Sequence, residues 1–192
     1  MTYYTPLLAL LRKYNFDGLD IDIEEHVPLN VPLRLLNALY QDMGPSFIQT
    51  MAPLAAALAG EDGYNPSGFS YSTLEKSALV PNSPTNANLV SWYNAQFYGG
   101  FARSAAFYRS CVDAGWEPRR LVLGVLDSAD DGGANGFVNV STLGRTVRDL
   151  RGLYGSFGGV AGWEYHDAGV TDGGREPWEW VKRIGEALFV GR

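Results

Sequence analysis

The sequence predicts an α/β fold with a mainly parallel sheet. Short apolar runs alternate with amphipathic stretches along the 192 residues, and this alternation is typical of repeated βα units. Hydrophobic residues make up 46% of the chain and charged residues 19%, which is the composition of a folded globular domain. We find no internal repeat, low-complexity tract or linker, so we expect residues 1–192 to form a single domain.

Five strands are predicted, each followed by a loop and usually by a helix. The strands are predicted at residues 16–24, 47–52, 89–97, 121–126 and 159–163. The helices are predicted at the N-terminus, where Thr5 would be the cap, and at residues 31–43, 102–114, 140–154 and 178–188. Polar loops containing glycine are predicted at residues 60–68 and 128–136. A (β/α)8 barrel has eight strands and about 250 residues, so the pattern corresponds to the last five-eighths of a barrel.

The charge and the cysteine content exclude several classes of function. The formal net charge is -6 and no cluster of Lys or Arg stands out, so we expect neither nucleic acid nor a membrane as a partner. Cys111 is the single cysteine, which excludes an intrachain disulfide and a cysteine-based metal site. No secretory signal peptide is predicted, so we expect the chain as written to be cytoplasmic.

The residues that could carry chemistry are concentrated in one segment, residues 17–24. Acidic and apolar residues alternate there, so on a strand Asp20, Asp22 and Glu24 project to one face. The opposite face carries the apolar residues Leu19, Ile21 and Ile23. Three carboxylates on one inward face repel each other, and at least one should hold a proton near neutral pH. A protonated carboxyl group beside an ionised one suits cleavage of a glycosidic bond.

Two other interpretations of this segment remain open. An edge strand at the surface would place the acidic face in water. Alternatively, the carboxylate oxygens would suit a magnesium ion, although no phosphate-binding glycine loop accompanies them.

The same segment resembles the DGxDxDxE signature of glycoside hydrolase family 18, which contains chitinases and related endo-β-N-acetylglucosaminidases. All five fixed positions match, namely Asp17, Gly18, Asp20, Asp22 and Glu24. The resemblance implies a partial TIM (β/α)8 barrel with strands four to eight, because a single helix precedes the signature and the first three βα units are absent. Such an open barrel would leave two sheet edges through which the chain could self-associate.

Later segments are similar to the substrate-binding strands of that family. The segment LVSWYNAQFYGG resembles the sixth strand, in which Gln96 and Tyr98 match the amide and the tyrosine that hold the N-acetyl group. Asn94 shares their predicted strand face. Met51 corresponds to a pocket residue at the end of the fifth strand, and Trp163 corresponds to the floor beneath the sugar at the eighth. Core packing is the alternative for each of these side chains.

The resemblance implies hydrolysis of β-1,4-linked N-acetylglucosamine polymers by a substrate-assisted retaining mechanism. Glu24 would be the general acid and base, Asp22 would hold the acetamide, Asp20 would set the protonation of Asp22, and Tyr98 would donate a hydrogen bond. The expected partner is chitin or a chitooligosaccharide, with no metal or organic cofactor, and the full-length family is extracellular. An endo-β-N-acetylglucosaminidase acting on N-glycans and a non-catalytic chitin-binding remnant are the alternatives.

A second acidic group lies in the predicted loop 128–136 and just before it. Asp127, Asp130 and Asp131 precede Gly132 and Gly133, a composition that would suit calcium. The spacing differs from that of hand-type calcium loops, and we therefore expect a flexible loop at the rim of the barrel.

Overall fold

The computed structural model describes residues 2–60, 64–132 and 135–189. Within these residues five strands and seven α-helices follow one another along the chain. The strands are β1 (Gly18–Ile21), β2 (Ile48–Met51), β3 (Trp92–Gln96), β4 (Leu121–Leu126) and β5 (Val160–Trp163). The helices are α1 (Tyr4–Lys13), α2 (Asn30–Met43), α3 (Ala55–Ala59), α4 (Tyr71–Ser77), α5 (Ala106–Asp113), α6 (Val140–Tyr154) and α7 (Pro177–Phe189).

The strand order of the sheet is β1-β2-β3-β4-β5, the order of the chain. Strand β1 pairs with β2 in parallel, from Gly18 opposite Ile48 to Ile21 opposite Met51. Strand β4 pairs in parallel with both β3 and β5. The prediction of an α/β fold with a parallel sheet is therefore confirmed.

The chain divides into two compact units, Met1–Ala52 with Asn65–Trp92 and Pro53–Tyr64 with Tyr93–Arg192. In the first unit, α2 turns an apolar face inward. Its buried residues are Pro32, Leu36 and Leu39. They lie three and four positions apart, which is the spacing of one helix face.

The second unit is built around β4, in which all six residues are buried. Burial on both faces is typical of a strand inside a parallel sheet. Asn139 caps the N-terminus of helix α6: its side chain accepts a hydrogen bond from the backbone N–H of Thr142 (2.9 Å). Its buried apolar face comprises Val140, Leu143, Val147 and Leu150. The Tyr108 hydroxyl of α5 donates to the Leu121 carbonyl (2.7 Å) and so ties that helix to β4.

Some predicted boundaries are wrong. Strand β1 ends at Ile21 rather than at residue 24, because its partner strand β2 ends at Met51, which lies opposite Ile21. The two short helices α3 and α4 were not predicted. Thr5 is not the cap of α1, since the helix begins one residue earlier and has no side-chain cap. The predicted loops 60–68 and 128–136 include residues 61–63 and 133–134, which lie outside the described residues.

No helix among the described residues has the length and apolar character needed to cross a membrane.

Candidate active site

The acidic segment lies at the C-terminal end of β1, in the first unit. Asp20 is within the strand, whereas Asp22 and Glu24 follow its last ladder pair. All three side chains belong to exposed residues, and the apolar residues between them are buried or half-buried. The alternation predicted from the sequence therefore continues beyond the paired part of the strand. It brings three carboxylates to one side of a single segment.

Asp20 is held by the neighbouring strand. Thr50 lies directly opposite Asp20 in the register of β1 and β2, and its hydroxyl donates to the Asp20 Oδ1 atom at 2.6 Å. Thr50 is 5% exposed, so this hydrogen bond is largely shielded from competing water. Thr50 could not be predicted as a site residue, because only the strand register shows that it lies opposite Asp20.

Asp22 is the carboxyl group of this segment that resists ionisation. Partial burial of its carboxyl group, followed by the charge of Glu24, a hydrogen bond to Glu24 and the charge of Asp20, together raise the pKa of Asp22 to about 6. A backbone hydrogen bond from Ile23 acts in the opposite direction. Like charges and lost hydration both favour the neutral carboxyl form. This pKa supports the expectation that one of the three carboxyl groups holds a proton near neutral pH.

Tyr71, the first residue of α4, is a buried neighbour that the sequence analysis missed. It is 2% exposed and packs against Phe69, with the ring centroids 4.9 Å apart and the ring planes tilted by 53°. Burial raises the pKa of Tyr71 above its usual range; a hydrogen bond from Ser67 lowers it, and the charges of Asp22 and Glu24 raise it. The tyrosine hydroxyl therefore lies within electrostatic reach of both acids. No sequence signal identified it, since α4 itself was not predicted.

A groove of about 530 Å³ adjoins the acidic segment, and Asp22 and Glu24 are among its lining residues. Its walls are otherwise mainly apolar, with side chains contributed by Ile21, Ile23, Val27, Val31, Pro32 and Leu35. A concave, mostly apolar surface with a few polar groups is the usual form of a ligand site.

Met51 does not contribute to such a surface, because it is fully buried (0% exposed). The structure therefore favours the core-packing alternative for Met51.

In the second unit, Asn94 and Gln96 lie two positions apart on β3 and share one face. Asn94 is half-buried and Gln96 is 9% exposed. Tyr98 is half-buried but lies in the turn that follows the strand, so the shared strand face predicted for it is wrong. The strand ends there because Gly99 and Gly100 adopt positive φ angles of 68° and 87°, which redirect the chain.

Trp163 is the last residue of β5 and pairs in register with Leu126 of β4. Its side chain is 57% exposed, although its backbone carbonyl accepts a hydrogen bond from Asp127 (2.9 Å). The backbone is thus fixed while the indole ring is accessible to solvent. An exposed indole at the C-terminal end of a strand provides a flat apolar surface on which a ligand could rest.

A second group of carboxylates lies beside Trp163. One carboxylate oxygen from each of Asp127, Asp131 and Asp167 lies within 4.8 Å of the other two. Burial, followed by the charges of Asp131 and Asp167 and a hydrogen bond to Asp131, raises the pKa of Asp127 to about 7. Carboxylates this close repel one another, which favours a proton on the most buried of them.

The prediction of a flexible rim loop is wrong for two of its members. Asp127 is 2% exposed, and Asp131 Oδ2 accepts backbone hydrogen bonds from Ser128 and Glu164, both at 3.1 Å. Asp130 is exposed, as expected. Gly133 of the same predicted loop lies outside the described residues.

No family model and no curated protein matches the chain, but solved structures do. A fungal endo-β-N-acetylglucosaminidase of glycoside hydrolase family 18 is 35% identical with a TM-score of 0.84, over 100% of this chain and 63% of its own. The chitinase ChiC from Aspergillus fumigatus is 38% identical with a TM-score of 0.78, over 97% of this chain and 64% of its own. A family 18 chitinase from Pseudoalteromonas aurantia is 19% identical with a TM-score of 0.67, over 96% of this chain and 65% of its own. At this identity, the similarity shows the fold alone.

The parallel strands and their helices thus form a partial (β/α)8 barrel of the kind found in glycosidases. The resemblance to glycoside hydrolase family 18 is confirmed by these structures, in sequence as well as in fold. The chain spans slightly less than two thirds of the length of the solved structures that it matches.

Proposed function

We propose that this chain carries the acid–base centre of a family 18 glycoside hydrolase that cleaves β-1,4-linked N-acetylglucosamine polymers. The observation that carries the proposal is the coupling of Asp22 and Glu24. Asp22 is hydrogen-bonded to Glu24, and its pKa is raised to about 6. Two coupled carboxyl groups can hold a proton near neutral pH and deliver it to a glycosidic oxygen.

In the first step, Glu24 protonates the oxygen of the scissile bond, and the bond from that oxygen to the anomeric carbon breaks. The carbonyl oxygen of the substrate's own N-acetyl group attacks the anomeric carbon and gives a cyclic oxazolinium ion. Asp22 accepts a hydrogen bond from the acetamide N–H and stabilises the positive charge that develops there. Mechanisms assisted by the substrate in this way need no protein nucleophile.

In the second step, Glu24 acts as a base. It removes a proton from a water molecule, which attacks the anomeric carbon and opens the oxazolinium ring. Two displacements at the same carbon retain its configuration. Asp20, held by Thr50 at 2.6 Å, keeps a negative charge near Asp22 and thereby favours a proton on Asp22 while no substrate is bound.

The second unit holds four further candidate residues for sugar binding. We propose that Tyr98 donates a hydrogen bond to the acetamide oxygen and that Gln96 and Asn94 supply amide contacts. Trp163, with its ring exposed to solvent, would form the floor beneath the sugar. Stacking of a pyranose on an indole face combines burial of apolar C–H groups with a defined orientation.

An endo-β-N-acetylglucosaminidase acting on N-glycans is the second candidate function. It is favoured by the TM-score, which is higher for the fungal endo-β-N-acetylglucosaminidase (0.84) than for ChiC (0.78). Sequence identity has the opposite order, 35% against 38%. Both enzymes would need the same centre at Asp22 and Glu24, so the two functions differ in the substrate and not in the chemistry.

The test is hydrolysis of a fluorogenic chitooligosaccharide by the purified chain, with a high-mannose glycopeptide as the second substrate. Glu24→Gln keeps the shape of the side chain but removes its acid, and general acid–base catalysis is worth about 10²–10⁴-fold. We expect at least a hundredfold loss of release for this variant and none for Glu186→Gln, which changes an exposed glutamate of α7.

Cleavage of the glycopeptide alone would identify the endo-β-N-acetylglucosaminidase. A chain that is folded by circular dichroism and binds chitin beads but releases nothing would contradict the enzyme and establish the chitin-binding remnant. Release that survives Glu24→Gln would show that Glu24 is not the acid.

A further inference from the structure

Asp131 connects the loop after β4 to Glu164, the residue that follows Trp163. Its Oδ2 atom accepts the N–H of Ser128 and the N–H of Glu164, each at 3.1 Å. Glu164 directly follows Trp163, the last residue of β5. The carboxylate therefore fixes the backbone on the C-terminal side of Trp163. The Asp127 N–H, which donates to the Trp163 carbonyl at 2.9 Å, fixes the backbone of Trp163 itself.

Asp127 lies next to this contact and is nearly inaccessible to water (2% exposed). Its carboxyl group is hydrogen-bonded to that of Asp131. Two carboxyl groups form a hydrogen bond only when one of them carries a proton. Asp131 accepts two backbone N–H groups, which stabilise a carboxylate, so the proton belongs to Asp127. The buried Oδ1 atom of Asp127 has no hydrogen-bond partner in the described part of the chain, and a neutral carboxyl tolerates this better than an ionised one.

The sheet leaves space for this buried carboxyl group. Gly162 of β5 lies beside Asp127, and a Cβ atom at this position would overlap Asp127 Oδ2. The same Cβ would also lie only 2.9 Å from the ring of Trp180. A glycine is therefore required where β5 passes Asp127 and Trp180.

We propose that Asp131, with Asp127 as its proton-donating partner, is a positioning residue that holds the segment carrying Trp163 in place for sugar binding. The inference rests on the proposed function, in which Trp163 is the floor beneath the sugar. A binding surface is effective when neighbouring contacts fix its geometry before the ligand arrives. Asp131 touches no substrate in this scheme and acts through the backbone of Glu164.

The charges around the pair make it sensitive to pH. Asp167 lies within 4.8 Å of both aspartates, and His166 Nδ1 lies 3.5 Å from Asp167 Oδ1 and 3.4 Å from Glu164 Oε1. Loss of the proton from Asp127 would place three carboxylates together and replace a hydrogen bond by repulsion. The raised pKa of Asp127, about 7, is consistent with this change occurring near neutral pH.

Three variants separate the pair from a general structural role. Asp127→Asn introduces a side-chain amide that donates its N–H to Asp131 at every pH, so this variant mimics the protonated aspartic acid. Asp131→Asn removes the charge that accepts the two backbone bonds. Asp130→Asn is the matched control, because Asp130 is an exposed neighbour in the same loop.

The first measurement is the affinity of each full chain for chitohexaose at pH 5.5 and pH 8.5 by calorimetry. We expect the wild-type affinity to be about tenfold lower at pH 8.5 than at pH 5.5, because one charge-assisted hydrogen bond is lost. Asp127→Asn should keep the wild-type affinity of pH 5.5 at both pH values. Asp131→Asn should bind about tenfold more weakly at both, and Asp130→Asn should match the wild type. An affinity that Asp131→Asn leaves unchanged would overturn the proposal.

The second measurement does not need sugar binding. The ¹⁹F signal of fluorotryptophan, assigned to Trp163 by its loss in Trp163→Phe, should shift with a midpoint near pH 7 in the wild type and stay constant in Asp127→Asn. This shift in a chain that binds no sugar would leave the positioning role standing and contradict only the proposed function. A signal that does not change with pH would overturn the proton-sharing pair. A signal that responds to 1 mM CaCl₂ and is reversed by EDTA would also overturn it, since a cation would then hold the three carboxylates together.

Discussion

At the scale of single residues, the hydrogen bond from Thr50 to Asp20 connects the acidic segment to the neighbouring strand β2. The 2.6 Å bond holds the Asp20 carboxylate in place, and the charge of Asp20 is one of the causes of the raised pKa of Asp22. Thr50 is thus a positioning residue that acts on Asp22 through Asp20. Its hydroxyl makes this hydrogen bond. Valine has a similar shape but no hydroxyl, so Thr50→Val removes the bond with little change in packing.

Thr50→Val should lower both activity and the pKa of Asp22. Without the hydroxyl, the Asp20 carboxylate is no longer held in place, its repulsion on Asp22 weakens, and the pKa of Asp22 moves down from about 6. The proton on Asp22 would then be lost at lower pH than in the wild type. We expect activity to fall about tenfold, the worth of one hydrogen bond to a charged group. The pKa is measured from the ¹³C carboxyl shift of Asp22 across pH 4–8.

Thr146→Val is the control for the loss of a buried hydroxyl. Thr146 is 1% exposed, and its hydroxyl donates to the Thr142 carbonyl of its own helix (3.4 Å). This variant should leave the Asp22 titration unchanged. An identical titration midpoint in Thr50→Val and the wild type would contradict the positioning role.

At the scale of secondary-structure elements, the glycine of the acidic signature has a structural cause. A Cβ atom at Gly18 would lie 2.5 Å from the Ile48 carbonyl oxygen of the adjacent strand, closer than any side chain tolerates. Gly18 therefore permits β1 and β2 to pair in the register that places Thr50 opposite Asp20. The acids of the signature carry the chemistry, and its glycine sets the spacing between the strands.

Gly18→Ala should destabilise the fold, because the strands must separate or shift to admit the methyl group. We expect a loss of roughly 1–3 kcal/mol in the free energy of unfolding, the usual cost of overpacking. Gly152→Ala is the matched control, since a Cβ there meets nothing within 4 Å on an exposed position of α6. Replacing a helical glycine by alanine should stabilise by about 0.5–1 kcal/mol. Urea unfolding measures the free energy of unfolding of each variant. Equal stability of Gly18→Ala and the wild type would show that the strands do not need a glycine at this position.

At the scale of the whole molecule, strands β1 and β5 are the outer strands in the strand order. The backbone groups of an outer strand are a template for pairing with another chain. The self-association predicted from the sequence follows from this property. It would bring two copies together without any change in the chemistry of the acidic segment.

We therefore expect the purified chain to self-associate in a concentration-dependent manner. Light scattering coupled to size-exclusion chromatography should give a mass above that of the monomer, and the mass should increase with loading concentration. Dilution should reverse the effect if the contact is reversible edge pairing. A constant monomer mass across a hundredfold range of concentration would contradict the prediction.

Local pattern explains why much of the fold could be predicted. The five strands and the longer helices depend on apolar periodicity, which the chain carries in segments of 5–15 residues. Helices α3 and α4 were missed because five and seven residues are too few to display a periodic apolar face. The end of β1 was misplaced because it depends on where the partner strand β2 ends, and no pattern within residues 16–24 indicates that position.

The sequence by itself determined the acidic segment. The alternation of Asp20, Asp22 and Glu24 with apolar residues fixes which side chains share a face, because the side-chain period of an extended chain is two. The tertiary structure alone decided which partners those acids and the exposed indole have. Thr50 is 30 residues from Asp20, and Glu164 is 33 residues from Asp131. Contacts of that separation depend on strand register and loop packing, which arise only when the whole chain has folded.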